Sequence, residues 1–401
     1  MKILVVCQYY YPEPFRISDI CEELVREGHE VQVVTGYPNY PLGEIYDGYG
    51  KAKRIDEVIN GVKVHRCYEI PRKTGTLNRF LNYFSYPMSS SYYVLSNKCK
   101  AKDGSNFDLV LCNQLSPVMM GKAAIKYKKK YNVPAIMYCL DLWPESLVAG
   151  GIKRESIIYK IFLHISKKIY KQMDTIMTTS ESFNEYFNEK FEINDIQYLP
   201  QYAESFFEPE KCRKTKDDNI DLMFAGNVGK AQNVNIIIDA ARKLVDLKNL
   251  KFHIVGDGIE LDKLKQDSTD LNNVIFYGRK SVEEMPRYYA MADAMLVTME
   301  KDPIISLTLP GKVQSYMAAG KAIIGSIDGE AAKIIEKSGC GLCSRAENVD
   351  EFVENIRKFI NSNDRNRYEE KAFNFYEKHF RKELFFSNIN KIIKESVNKS
   401  R

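Results

Sequence analysis

The stretch Leu222-Met223-Phe224-Ala225-Gly226-Asn227-Val228-Gly229-Lys230 decides the fold of the second half of this chain. An apolar strand from Ile220 to Phe224 runs into two glycines and a lysine, and a helical pattern follows over Val234–Ala241. Glycines let the backbone come close to a bulky anion, and N–H groups at a helix start point outward with partial positive charge. Lys230 adds a full charge. Such a turn can hold a diphosphate, and it can equally be an ordinary strand-to-helix turn.

The following sequence repeats the pattern. Lys251-Phe252-His253-Ile254-Val255-Gly256-Asp257-Gly258 is a second strand ending in glycines. Asn273–Arg279, with Gly278 and Arg279 at its end, and Ala294–Thr298 are two more short strands of the buried type. Leu309-Pro310-Gly311-Lys312 opens a turn and a short helix through Tyr316-Met317-Ala318-Ala319-Gly320, before a strand from Ala322. Strands alternating with helices predict a parallel sheet with ligands at the carboxyl ends of its strands.

The first half reads the same way, with strands expected at 2–7, 30–35, 62–67, 108–112, 134–139, 174–178 and 195–199. Its loops carry unusual residues. Tyr9-Tyr10-Tyr11-Pro12-Glu13-Pro14-Phe15-Arg16 follows the first strand, and Thr35-Gly36-Tyr37-Pro38-Asn39-Tyr40-Pro41-Leu42-Gly43 the second. Asn113-Gln114-Leu115-Ser116-Pro117 and Asp141-Leu142-Trp143-Pro144-Glu145-Ser146-Leu147 follow two later strands. All four fall on one edge of the sheet, where binding groups belong. Aromatic faces and carboxylates suit sugar rings and hydroxyls, which makes Glu13, Arg16, Asn39, Tyr40, Asp141, Trp143 and Glu145 candidates for an acceptor site. Alternatively, the prolines and tyrosines only shape long loops, and Asp141 only caps the helix after it.

At 401 residues the chain has room for two domains with full cores. Its net charge is +5. The positive charge gathers in the first half: eleven Lys and Arg lie between Lys51 and Lys102, opposed by Asp56, Glu57 and Glu69. These basic residues follow no nucleic-acid reader motif, so no nucleic-acid partner is expected. No apolar run approaches a membrane span. The opening Met1–Cys7 reads as a first strand rather than a leader. Nine scattered cysteines suit reduced thiols in a cytoplasmic protein, and Cys340 and Cys343, in CxxC spacing without a second pair, read as small buried residues. The charged stretch 204–219 reads as an interdomain linker, and 364–401 as helix. In the segment Arg72–Tyr86, Leu77, Phe80, Leu81 and Phe84 share one helical face beside Arg72, Lys73 and Arg79. That face either meets a membrane surface or closes a core.

Taken together, these residues resemble the retaining, nucleotide-sugar-dependent glycosyltransferases of family 4, over nearly the whole chain. They are more closely similar to a bacterial subgroup that builds O-antigens, capsules and colanic acid and that includes N-acetyl-L-fucosamine transferases. The marks are Thr35–Pro41, Asp141–Leu147, Ala225–Gln232, and Lys312 with Tyr316–Lys321. The resemblance implies the GT-B fold: α/β, two Rossmann-like domains with parallel sheets facing across a cleft. The first, residues 1–200, would bind the acceptor; the second, 201–380, the nucleotide-sugar; the final helix, 381–401, would pack back on the first. The implied donor is a UDP-sugar, with an N-acetylated deoxyhexose as candidate. The implied acceptor is an undecaprenyl-diphosphate-linked saccharide, reached by peripheral attachment at the inner face of the cytoplasmic membrane.

The chain departs from the wider family in ways that bear on chemistry. Asn227 and Gln232 stand where the family has an arginine and a lysine on the donor diphosphate, and Asn233 replaces a glycine. A family pair of glutamates falls on Leu307 and Ser315; Glu300 or Asp302 could take part of that work. The donor site is therefore expected from Gly226, Asn227, Gly229, Lys230, Gly256, Asp257, Gly278, Arg279, Pro310, Gly311 and Lys312. Lys230, Lys312 and the N–H groups of Gly226, Gly229 and Gly311 would stabilise charge on the leaving phosphates. Asp141 would orient or deprotonate the acceptor hydroxyl, and no obligatory metal or other cofactor is expected. The rivals are a nucleotide-sugar epimerase of the same fold, a nicotinamide-dependent oxidoreductase, disfavoured by the bulky loop 8–16, and a non-catalytic assembly scaffold.

Overall fold

A computed structural model describes all residues except 42, 51–52, 72–74, 150, 216 and 401, together with the side chains of 76, 77, 79, 149 and 400. Leu42, Lys51, Arg72 and Lys73, all used in the sequence reading, lie outside the described residues, as do the side chains of Leu77 and Arg79. The chain divides into two compact units. Unit 1 comprises Met1–Thr178, Asn184–Tyr198 and Ile389–Arg401; unit 2 comprises Thr179–Phe183 and Leu199–Asn388.

Among the described residues, unit 1 holds an eight-stranded sheet. Its strands are β1 Lys2–Val6, β2 Glu30–Thr35, β3 Asp56–Ile59, β4 Val62–Arg66, β5 Leu109–Gln114, β6 Ala135–Cys139, β7 Thr175–Thr178 and β8 Ile196–Tyr198, in the order β3-β4-β2-β1-β5-β6-β7-β8. Every pairing is parallel except β3 with β4. The sequence reading expected a parallel sheet and passed over β3. The turn Asn60-Gly61, with φ of 47° and 86°, makes β3–β4 a tight hairpin on the sheet edge. The central strands β1, β5 and β6 are almost wholly apolar and buried, as a parallel sheet covered on both faces requires. The helices of this half are α1 Ile17–Arg26, α2 Thr76–Val94, α3 Gly121–Tyr131, α4 Glu145–Ala149, α5 Ile157–Tyr170 and α6 Ser182–Phe191. Asn113 and Gln114 end β5 rather than opening its loop, because both pair with β6.

Among the described residues, unit 2 holds a six-stranded, fully parallel sheet in the order β11-β10-β9-β12-β13-β14. Its strands are β9 Ile220–Ala225, β10 Leu250–Val255, β11 Val274–Gly278, β12 Ala294–Thr298, β13 Ala322–Ser326 and β14 Gly341–Ser344. Alternate residues point to opposite faces. Met223, Met295 and Ile323 enter one core; Leu222, Phe224, Leu296 and Ile324 enter the other. The helices are α7 Pro209–Cys212, α8 Asn235–Lys243, α9 Leu261–Asp267, α10 Met285–Tyr289, α11 Gly311–Ala318, α12 Glu330–Ser338, α13 Val349–Ile360, α14 Arg365–His379 and α15 Lys382–Ser400. The stretch 204–219, read as a linker, is instead built into unit 2: Phe207 and Cys212 are buried in its core. The later part of α15 belongs to unit 1, where Asn390 donates to Glu27 Oε2 at 2.7 Å and Ser396 meets Thr175 at 3.0 Å.

Candidate active site

The loops at the carboxyl ends of β9, β10 and β11 are tied to one another through their backbones. Gly226 N–H donates to Val255 O (2.9 Å), Val228 N–H to Asp257 O (2.8 Å) and Gly256 N–H to Gly278 O (2.9 Å). The approach is close enough that a Cβ on Gly256 would lie 1.8 Å from Gly226 O, and φ at Gly226 and Gly256 is 143° and 148°. Only glycine fits such a crossing. One expectation is corrected here. Gly226 N–H is spent on the neighbouring loop and cannot also serve a phosphate, and Gly256 N–H is likewise committed. Their role is to let the loops interlock. Among the described residues, the N–H groups of Gly229 and Gly311 have no protein acceptor.

Lys312 reaches this loop from the first turn of α11. Its Nζ lies 3.8 Å from the centroid of the Phe224 ring and is shielded from solvent with no hydrogen-bond partner. A Cβ on Gly226 would sit 2.8 Å from that Nζ. The residue as a whole is half-buried. Burial of the amine pushes its pKa from 10.5 down to about 7. The Phe224 face gives back part of the lost solvation. An amine held out of water with no acid beside it is poised for an anion. The aromatic seat under it was not read from the sequence, although Phe224 lies in the decisive stretch. Tyr316, also missed, fixes the strand end: its OH lies 3.1 Å from Ala225 N and 3.0 Å from Ala225 O.

Lys230 is different. It is 79% exposed, with Nζ 3.6 Å from Glu300. Glu300 is held in turn by its N–H on Ala231 O (2.9 Å), and Thr298 Oγ1 donates to Gln232 O (2.6 Å). Asn227 Nδ2 donates to Gln232 Oε1 at 3.0 Å, so the two neutral residues that replace family cations bind each other. Asp302 caps the N–H groups of Ile304 and Ile305, leaving Glu300 as the acid at the lysine. Ser315 Oγ bonds back to Gly311 O (3.3 Å). Asp257 accepts from Gly258 N–H (2.8 Å), Arg279 is exposed, and Pro310 occupies the N-cap of α11.

In unit 1 several expected acceptor residues turn out to build the loops. Glu13 is buried and accepts three N–H groups, from Asn39 (2.9 Å), Tyr40 (2.7 Å) and Tyr10 (3.3 Å), so it joins the loops after β1 and β2. Burial raises its pKa to about 7, against the lowering by those donors. Asn39 is buried and donates to Tyr37 O and to Glu69. Trp143 is fully buried: its Nε1 donates to Ser116 Oγ (2.8 Å) and its ring packs edge-on against Tyr83 and Phe162. Glu145 is buried between Arg154 (3.0 Å) and the hydroxyls of Tyr159 and Tyr186 (2.7 and 3.1 Å). For Glu13, Asn39, Trp143 and Glu145, the expectation of direct acceptor contact is therefore corrected: burial and internal partners occupy them. Three residues keep solvent access. Tyr40, 40% exposed, packs on Tyr9 and Phe15; Arg16 is half-buried; Asp141 is half-buried and accepts from Ser146 Oγ at 2.6 Å. That hydroxyl lies in the first turn of α4, so Asp141 is tied to the helix by a side chain.

The sequence reading missed Glu69, Gln8 and Asn82. They form a buried polar knot under these loops, with Gln8 Nε2 donating to Glu69 (3.1 Å) and to Asn82 (3.2 Å). Gly36 leaves the room, since a Cβ there would lie 2.6 Å from the Glu69 carboxyl carbon.

Two families of known proteins match this arrangement. Residues 15–200 match the Glycosyl transferase 4-like domain, and residues 207–375 match the Glycosyl transferases group 1. The chain belongs to the GT-B glycosyltransferases. This glycosyltransferase is 24% identical over 391 residues to the putative colanic acid biosynthesis glycosyl transferase WcaI of Escherichia coli, covering 90% of this chain and 92% of that one. Its fold is that of sucrose-phosphate synthase from Thermosynechococcus elongatus (TM-score 0.75, 13% identity, 98% of both chains). It is also that of Anabaena HepE in complex with UDP (TM-score 0.71, 13% identity, 98% of this chain and all of that one). In this glycosyltransferase the interlocked loops and Lys312 lie within the group 1 half, and the Glu13 clamp lies just before and within the 4-like half.

Proposed function

We propose that this glycosyltransferase moves a sugar from a UDP-sugar to a lipid-linked saccharide during assembly of a bacterial surface polysaccharide. The observation that carries the donor part is Lys312: a sequestered, unpartnered amine at the end of β9, beside glycines that admit no side chain. A diphosphate supplies the charge that this amine lacks. The naming of WcaI for colanic acid supports a surface polysaccharide, and UDP in HepE supports a uridine nucleotide.

In this reading unit 2 holds the donor. Departure of the nucleoside diphosphate places charge on the phosphates. Lys312, Lys230 and the free N–H groups of Gly229 and Gly311 offset it, most strongly in the transition state. Unit 1 receives the acceptor near Tyr40, Arg16 and Asp141, with Asp141 orienting the hydroxyl. Retention follows from family resemblance, with front-face attack assisted by the leaving phosphate. The boundaries 1–200 and 201–380, with the last helix returning to the first domain, are proposed as the functional division. Attachment at the inner membrane face follows from the lipid-linked acceptor.

The test is calorimetric binding of UDP-, GDP- and dTDP-sugars, then transfer to undecaprenyl-diphosphate saccharides with the product anomer read by NMR. Tight binding of UDP-sugars and a product that keeps the donor's anomeric configuration are expected. Preferred GDP- or dTDP-sugar binding overturns the donor, and an inverted anomer overturns retention. Interconversion of a UDP-sugar without acceptor would make the protein an epimerase.

A further inference from the structure

Three helices of unit 1 carry a surface that the donor and acceptor chemistry does not use. Between α3 and α5 lies a groove of about 350 Å³ lined by Lys122, Ile125, Lys126, Lys129, Ile165 and Lys168, with Ile169 and Gln172 at its end. Its floor is isoleucine and its rim is lysine. The sequence produces this directly. Lys122, Lys126 and Lys129 recur at helical spacing on α3, and Ile158, Ile161, Ile165 and Lys168 do so on α5.

The apolar surface continues on both flanks. On α5, Ile157, Ile158 and Ile161 are 75%, 43% and 53% exposed. On α2, Leu81, Met88 and Tyr92 form an exposed stripe at 43%, 71% and 83%. Phe84, on that same stripe, lies 5.6 Å from Lys122 Nζ, which joins α2 to the lysine row. Isolated exposed apolar residues need no explanation, but a run across adjacent helices does.

Charge decides what covers it. No carboxylate lines the groove. Acids on adjoining turns are already engaged: Glu192 with Lys167 and Lys171, Asp174 with Lys128. Among the described residues, Lys122, Lys126, Lys129 and Lys168 have no ion-pair partner. A nucleic-acid backbone would answer the lysines but not the isoleucines. A single acidic helix would fill the groove but leave both flanks bare. An anionic bilayer surface answers all three features: headgroups for the lysines, and the upper acyl region for the isoleucines. No described helix is long and apolar enough to cross a membrane.

We propose that the α2–α3–α5 face is the membrane-docking surface of this protein, with anionic phospholipid bound at the lysine-rimmed groove. This deepens the membrane part of the proposed function and does not depend on the donor assignment. It also extends the contact expected from the sequence around residues 72–86 onto α3 and α5, keeping Leu81 and Phe84 of that segment on the face. In the structure Phe80 of that segment packs on Phe162 at 5.8 Å, while Leu81 remains exposed.

The test is co-sedimentation of the whole protein with vesicles of phosphatidylcholine alone or with one-third phosphatidylglycerol. Wild type should partition at least tenfold more into the anionic vesicles, and 0.5 M salt should reverse this. Lys126→Glu with Lys129→Glu should weaken binding about tenfold or more. Ile157→Ser with Ile161→Ser should weaken it while leaving the salt dependence. All four positions are exposed, so circular dichroism and melting temperature should match wild type, as should transfer to a soluble acceptor. If wild type binds and both double variants bind equally well, this face is wrong and the membrane reading stands on another surface. Equal binding to both vesicle types overturns the anionic-lipid assignment. Wild type remaining in the supernatant overturns docking altogether and leaves the face to a protein partner.

Discussion

Lys312 Nζ sits 3.8 Å from the Phe224 ring centroid with no hydrogen-bond acceptor, on the loop where Gly226 leaves no room for a side chain. Strand β9 and helix α11 are thereby joined by a cation–ring contact. In the proposed reading the donor diphosphate supplies the partner that the amine lacks.

The first consequence is a proton. With its pKa lowered to about 7, Lys312 is charged below that pH and increasingly neutral above it. A diphosphate favours the charged form, so binding above pH 7 takes up a proton. Apparent donor affinity should fall by about tenfold per pH unit above about 7 until the pKa of the bound state is reached. Calorimetry in two buffers of different ionisation enthalpy reads the uptake directly. Lys312→Arg keeps its charge throughout and should show no uptake. No uptake by wild type, or equal uptake by the variant, removes Lys312 from the diphosphate.

The same burial costs the empty protein stability. Unfolded, the lysine holds its proton up to about pH 10.5; folded, it sheds it near 7. The unfolded state binds more protons in that window, so wild-type stability rises with pH from about 7 to 10.5. Lys312→Met should therefore melt a few degrees higher than wild type, on the order of the gains typical when active-site strain is removed. The gap should be widest at and below pH 7 and narrow toward 10.5. Transfer should drop about a hundredfold or more. A lower melting temperature at pH 7 would show that the amine is stabilising where it sits.

Lys230 should behave in the opposite way. It is mostly exposed and paired loosely with Glu300, so Lys230→Ala should leave the melting temperature unchanged. Turnover should nonetheless fall about a hundredfold, because a charge-assisted contact to the leaving phosphate is lost. In the proposed reading two lysines neutralise the phosphates, so transfer should also survive excess EDTA followed by dialysis. Activity lost to EDTA and restored by magnesium would reassign charge neutralisation to a metal.

Much of this was legible in the chain. Most strands of both sheets follow from short apolar runs, closed by glycine at the ends of β9, β10 and β11, and the loops at β9, β10 and α11 from Gly226, Gly256 and Lys312. What could not be read is which polar loop residues face inward. Trp143 and Glu145 look like sugar-binding groups in one dimension. Their partners Tyr83, Ser116, Arg154 and Tyr186 come from separate elements, and only folding shows that these satisfy them. Strand β3 was missed for a local reason: Val58 is 72% exposed on a mostly polar edge strand, so no buried-type run marks it.

Glu13 offers a test on the other half. Its carboxyl holds three backbone N–H groups, and it is protonated over a wider range than an exposed glutamate because its pKa rises to about 7. The folded state therefore holds an extra proton between about pH 4.5 and 7, and this contribution to stability declines as pH rises through that window. Glu13→Gln keeps an acceptor oxygen and should lose the pH slope with little change at pH 5. Glu13→Leu leaves buried donors unpartnered, at about 1–3 kcal/mol. Limited proteolysis should then cut within 9–16 or 36–41. A resistant Glu13→Leu protein would mean that the loops are held by something else.

The crossing of Gly256 over the Gly226 carbonyl, 1.8 Å from where a Cβ would be, carries a lesson for recombination. Neither loop can lengthen, shorten or accept a side chain unless the other changes with it. A graft that exchanges residues 226–232 alone between related transferases would seat a foreign loop against a native one. Donor preference in this lineage should therefore be inherited, and be transplantable, as a block that spans both loops and the first turn of α11.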